Sequence, residues 1–395
     1  MKKVFVILLG LVCVGLGGGL LQKTQYAYAT NSTEEEAINV VTETLEDIDL
    51  SNLENYESDY SELEGFKGKS AKDIVYDLIT GEEKIDIQTI FSVVVGGIKN
   101  NITSVLKLVI LIVTIVAIGA FSENLQSFSK KSSGISNIVN FAVLIVLLTI
   151  LVVVVSDFLT STTSVLLKLK TVMEAILPII LSLLVAVGGV STSAVIEPMV
   201  VVLTGVVIEV VIFLTTSIVT LYLVLSVLSN LTESIKLNKL KEFFASTFKW
   251  AFGLGFTIFM GYLSIAGITS STKDKLSIKT AKYAIKSYVP LVGGYVSDSY
   301  EIFKIGSVLI KNAVGTLGII ILFSVVVGFV IKIIVYNLGL KLTSGLVEPL
   351  GMKRLTSFLG DLATVFKFMF AGVVACFLLC FVAVYLIMSI GSGVV

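Results

Sequence analysis

No histidine occurs anywhere in the 395 residues. That absence removes the side chain that titrates nearest neutral pH, the usual nitrogen ligand of zinc, and every nucleophile activated by an imidazole. Enzymes of those classes are excluded. Cysteine is nearly as scarce. Cys13, Cys376 and Cys380 lie in apolar stretches, and the last two stand i, i+4 on one helix, where nearly parallel side chains make a disulfide strained. Neither a disulfide framework nor a metal cluster follows. Charge is the third shortage, with 15% of residues charged against 55% hydrophobic and a mean hydropathy of +0.97. Globular cores cannot hide that much apolar surface, so the composition points to a bilayer.

The charges that remain are unevenly placed. The 29 basic and 29 acidic side chains cancel formally. Between Thr30 and Asn100, however, 17 acids stand against 5 lysines, a net −12, while residues 1–29 carry +3 and residues 101–395 carry +9. The first segment opens Met1-Lys2-Lys3, continues as an apolar run from Val4 to Leu21 and ends Ala27-Tyr28-Ala29. It reads as a signal peptide, residues 1–29, with an A-x-A cleavage site; an uncleaved first membrane helix is the other reading. Either way residue 30 emerges outside the cytoplasm. Residues 30–104 form an acidic extracytoplasmic region led by Glu34, Glu35 and Glu36. Within it, Ser70 capping toward Asp73, an apolar stripe of Ile74, Val75, Leu78 and Ile79, and an exit at Gly81 predict one short helix. Large hydrophobes are too thin here for a core of its own, so the expectation is an arm rather than a domain.

Residues 105–395 read as a polytopic membrane domain. Apolar runs long enough to span are found at about Val105–Phe121, Ile138–Ser156, Ala175–Val195, Met199–Leu228, Trp250–Ser270, Val314–Val335 and Phe366–Ile390. The expected fold is thus all-α and polytopic, with about seven transmembrane helices, counting two between residues 175 and 228, where Gly188-Gly189 and Glu197-Pro198 also allow a re-entrant piece and one long span. The positive-inside rule does not orient that arrangement, because lysine and arginine divide nine against nine between the two sets of loops. Two connecting segments explain the tie if they lie on the bilayer surface. Ile235–Trp250 sets Leu237, Leu240, Phe244 and Phe248 on one stripe, and Leu276–Val289 separates Ile278, Ala281, Ile285 and Tyr288 from four lysines. Both read as interfacial amphipathic helices, or as grooves for a partner helix.

Charges inside apolar runs are expensive, which singles out Glu209 and Lys332. They are expected to pair across helices or to line a polar pathway, unless they lie near span ends and snorkel. The four prolines and two Glu-Pro phrases give candidate helix breaks at Pro178, Glu197, Pro198, Pro290, Glu348 and Pro349. Gly372, Cys376 and Cys380 at i, i+4, i+8 make a small-residue face suited to close helix packing. No Walker motif, dinucleotide fingerprint or metal-ligand spacing is visible, so no cofactor, metal or nucleic acid is expected, and any energy input must come from a partner.

One stretch is more distinctive. Lys286-Ser287-Tyr288-Val289-Pro290-Leu291-Val292-Gly293-Gly294-Tyr295-Val296-Ser297-Asp298, followed by Ile310-Lys311-Asn312-Ala313-Val314-Gly315, resembles the stage III sporulation protein AE family of endospore-forming bacteria. The order of signal, acidic ectodomain and multiple spans is similar along nearly the whole chain. The resemblance implies a membrane component of the channel, or feeding apparatus, between mother cell and forespore, needed for late forespore gene expression. It implies the outer forespore membrane as location. Its implied partners are other stage III sporulation membrane proteins, including a secretion-type ATPase and ring-forming proteins. It supplies no catalytic residues, so the protein is expected not to be an enzyme. The alternative from the residues alone is a stand-alone small-molecule permease with a pathway at Glu209 and Lys332.

Overall fold

The computed structural model describes residues 41–61, 64–81, 87–127, 133–231, 237–259, 261 and 293–389. Among these there is no strand. The helices are α1 (41–47), α2 (Ser51–Glu54), α3 (Glu57–Tyr60), α4 (Ala71–Thr80), α5 (Ile87–Ser127), α6 (Ser133–Ala186), α7 (Val190–Val202), α8 (Ile208–Leu231), α9 (238–259), α10 (Gly293–Val347) and α11 (Lys353–Ser389). The chain is an all-α membrane protein, and among the described residues five helices are long and apolar enough to cross a bilayer: Phe91–Phe121, Phe141–Ala186, Gly205–Leu231, Lys304–Leu350 and Lys353–Ser389.

Two of the seven expected spans share one helix, and this has a physical cause. The expected spans Ile138–Ser156 and Ala175–Val195 begin on one continuous helix, α6, whose 54 residues rise about 81 Å against a hydrocarbon core of about 30 Å. The exposed face of α6 changes character on the way. Phe141, Ile145, Val146 and Val153 face outward in its first half, followed by Ser156 and Asp157, and in its second half Thr160, Ser164, Lys168, Glu174 and Ser182 face outward beside fewer apolar groups, Leu167 and Val185. Beyond Thr171 the apolar residues Val172, Met173, Ile176, Leu177 and Ile180 are buried in protein, so the second run is apolar because it packs, not because it meets lipid. The first expected span is extended instead of split: α5 starts at Ile87 and runs unbroken past residue 104. The expected span Trp250–Ser270 is described only as far as α9 and Gly261, and Leu276–Val289 lies outside the described residues.

Helix α10 is the axis. It packs against α5, α6 and α11, and nearly every side chain from Lys304 to Ile331 is buried. Phe158 of α6 fastens the middle of the bundle, with edge-on contacts at 4.7 Å to Tyr336 of α10 and to Phe366 of α11. Helices α10 and α11 are joined by a tight turn, Glu348–Leu350, closed by Gly351 at φ 81°, a left-handed conformation suited to glycine. Met352 and Val143 flank Gly119. The C-terminal part of α5, the N-terminal part of α6 and the α10 to α11 turn therefore sit at one end of the bundle.

Residues 41–81 form a folded cap rather than an arm. Leu45, Leu50, Leu53, Tyr60, Phe66, Ile74 and Val75 are buried together, and α3 and α4 pack on α10. The missing part of their core is supplied by the long helices. The Tyr56 hydroxyl donates to Thr171 at 2.9 Å, and Lys168 reaches Asp59 at 3.0 Å, so the cap docks on the polar half of α6. Helix α4 forms as its sequence requires: Ser70 Oγ accepts from the Asp73 amide, the Asp73 carboxylate accepts from the Ser70 amide, and Gly81 ends the helix at φ 77°.

Candidate functional site

Most of the charged groups inside the bundle have partners, and those partners decide what the groups can do. The best-buried set joins α8, α9 and α11. Lys241 Nζ lies 2.7 Å from Asp361 Oδ2, and the two side chains are 7% and 14% exposed. Asn230 donates to the same carboxylate oxygen at 3.2 Å, and the Tyr222 hydroxyl stands 3.5 Å from the other oxygen. Asn230 and Ser226 each also donate at 2.7 Å to a carbonyl one turn back on α8. The charges are thus enclosed and hydrogen-bonded, the condition under which a buried pair is tolerated. Lys241 is absent from the expected surface stripe of Ile235–Trp250. The face of α9 turned inward carries Lys241, Phe248 and Phe259, whereas Leu240, assigned to the stripe, is exposed. The one available signal was the i, i+7 relation of Lys241 to Phe248.

Glu209 and Lys332 are not brought together, which corrects the expected cross-helix pair. Glu209 of α8 meets Lys170 of α6 at 2.6 Å. Lys332 of α10 stands 4.9 Å over the ring of Phe158, where the negative face of the aromatic receives the ammonium. The mispairing follows from the miscounted spans, which assigned Lys170 to a loop. Lys311, noticed only within the family-like stretch, is fully buried and donates to the carbonyls of Ile387 and Met388. A lysine donor at the C-terminal end of α11 answers carbonyls that have no partner within the helix.

Of the candidate helix breaks, Pro178 lies inside α6, and Pro198, preceded by the exposed Glu197, lies inside α7. Neither ends its helix. Proline removes one amide donor, a loss that neighbouring helices and local winding accommodate in a membrane helix, and α7 does pass into a π turn at Leu203–Val207 five residues later. The chain breaks instead at Gly188, φ 92°, and at Glu348-Pro349. Pro290 lies outside the described residues. Gly372 faces Thr215 of α8 so closely that a β-carbon would collide with its side chain. Cys376 and Cys380, on the same face of α11, are buried free thiols. Among the described residues, no group of three acids or cysteines is placed to hold a metal ion.

The arrangement is one of internal ties and helix packing. Its sequence matches the family described as stage III sporulation protein AE (spore_III_AE) over residues 69–391. The chain belongs to the stage III sporulation protein AE family. The matched region of this AE-family protein begins just before the capping box of α4 and includes every long helix. It is also similar to a stage III sporulation protein AE of Bacillus subtilis (strain 168), 26% identical over 218 residues that cover 55% of each chain. The matched stretch thus spans about half the length of that relative. No solved structure matches the chain.

Proposed function

We propose that this protein is a non-enzymatic membrane platform of the mother cell to forespore channel, set in the outer forespore membrane and required for late forespore gene expression. Membership of the stage III sporulation protein AE family carries the reading. The geometry supports it in two ways. Internal ties such as the Lys241–Asp361 ion pair and the Asn337 hydrogen bond to the Ala363 carbonyl lock the helices to one another, as a platform needs. The acidic cap is held on the bundle by Lys168 and Thr171, so it presents a fixed rather than a trailing surface. In the proposed orientation the cap lies in the space between the two membranes and meets ring-forming proteins, while the end bearing Lys239, Lys353 and Arg354 faces the mother-cell cytoplasm and its secretion-type ATPase.

The test is complementation in a sporulating host lacking its own copy, read with a late forespore-specific reporter and by co-purification of the complex. The wild-type chain is expected to restore both. A double variant E209Q/K332Q is expected to keep reporter activity within about twofold of wild type, because a platform asks of Glu209 and Lys332 only local packing. Reporter loss with an intact complex would instead favour a permease pathway through those two residues.

A further inference from the structure

A large cleft opens between α5, α9, α10 and α11, with a volume of about 1290 Å³. That exceeds the roughly 300–1,000 Å³ of pockets shaped for small molecules. Its wall is almost wholly aliphatic and aromatic, with Val94, Ile98 and Leu106 of α5 facing Phe252 and Phe256 of α9. The exceptions matter most. Lys341 of α10 and Lys367 of α11 both line it, both are exposed, and none of its described lining residues is acidic. Neither lysine has an ion pair among the described residues.

The two lysines share one region of the cleft. Asn337 of α10 donates to the Ala363 carbonyl of α11 at 2.8 Å, which fixes the antiparallel register. Lys341 lies one turn from that contact toward Gly351, and Lys367 one turn from it the other way, about 12 Å apart along the axis. Flexible lysine stems can bring both ammonium groups toward a common anion between them. Cations at membrane depth without an acidic neighbour are costly, and a basic pocket between transmembrane helices is a recognised setting for an anionic headgroup.

We propose that this cleft is a binding site for an anionic phospholipid, with the phosphate held by Lys341 and Lys367 and an acyl chain laid along the α5 and α9 walls. The bilayer itself supplies the occupant, and charge complementarity selects which lipid enters. This inference is independent of the channel role, since it concerns what the purified chain retains.

The experiment uses the full-length protein in neutral detergent, exchanged against phosphatidylglycerol or phosphatidylcholine at equal concentrations and read by native mass spectrometry. Wild type is expected to retain phosphatidylglycerol in preference, with each lysine contributing about fivefold. K341Q and K367Q should each reduce the preference by about that factor, and K341Q/K367Q should abolish it, whereas K239Q, outside the cleft, should leave it unchanged. Thermal shift of wild type on titration with phosphatidylglycerol gives a second readout that needs no variant to fold. Equal retention of the two lipids, an undiminished preference in the double variant, or occupation of the cleft by a second copy or a protein segment would overturn the proposal.

Discussion

Lys241 and Asp361 show how much a single partner decides in an apolar bundle. Their ion pair is almost sealed from solvent, and Asn230 takes up a further share of the carboxylate. Removing one member leaves the other buried and uncompensated, at a cost of about 3–5 kcal/mol, whereas replacing both with apolar groups is often neutral. K241M and D361L are each expected to lower the unfolding temperature in detergent markedly, and K241M/D361L to recover most of the loss. Additive losses in the double variant would show that the two residues do not act as a pair. At this scale the sequence marks which groups are anomalous but not whom they meet. Glu209 and Lys332 stand out from hydropathy alone, yet their actual neighbours, Lys170 and Phe158, depend on which helices adjoin. Lys241 and Asp361 did not stand out, because each lies near the end of an apolar run, where a charge is ordinarily explained by water.

At the scale of the element, local chemistry was legible and shared cores were not. The capping box of α4 could be read directly, since Ser70, Asp73 and Gly81 act within one helix. S70A is expected to cost the helix about 1 kcal/mol, seen as faster hydrogen exchange of the α4 amides in the intact protein. The same cap sets a pH dependence. Hydrogen bonds from the Ser70 hydroxyl and then its amide hold the Asp73 carboxyl below its ordinary value. A depressed native value means that the unfolded state binds the proton more readily, so this stabilisation is complete above the unfolded value of about 3.9 and is lost as pH falls through the native one. Protection of α4 should decline on acidification across that window in wild type and change less in S70A; identical profiles would remove Asp73 as the cause. The rest of the cap was hidden for a different reason. Leu45, Leu50, Leu53, Tyr60 and Phe66 follow no single period across short helices, and α6 and α10 complete their burial. A segment judged alone therefore looks too poor in hydrophobes to fold.

For the whole molecule, the span count and the loop charges are one problem. Hydropathy cannot distinguish a helix surrounded by lipid from one surrounded by protein, so the buried half of α6 was counted as a separate crossing. That extra crossing assigned Lys130 and Lys131 to one side and Lys353 and Arg354 to the other, which produced the even division. In the structure Gly119, Val143 and Met352 meet, so the C-terminal part of α5 and the N-terminal part of α6 lie at the same end as Lys353 and Arg354. Lys239 belongs there too: α9 runs alongside α11 from Lys241 at Asp361 to Phe248 at Phe368, which leaves Lys239 on the Gly351 side. The cap's anchor at Lys168 lies 25 residues along α6 from Val143, about 37 Å, more than the thickness of a hydrocarbon core. Lys239, Lys353 and Arg354 on one side and the acidic cap on the other thus occupy opposite ends, a separation the neutral total conceals. Single cysteines introduced by K239C and K353C in a C13S background, where Cys376 and Cys380 are buried, are expected to react with a membrane-impermeant maleimide only after permeabilisation of protoplasts. K67C, exposed on the cap, should react in intact protoplasts. Reaction of K239C and K353C from different sides would break the shared end that the packing of α9 along α11 implies, and reaction of K67C together with them would place the cap in the cytoplasm.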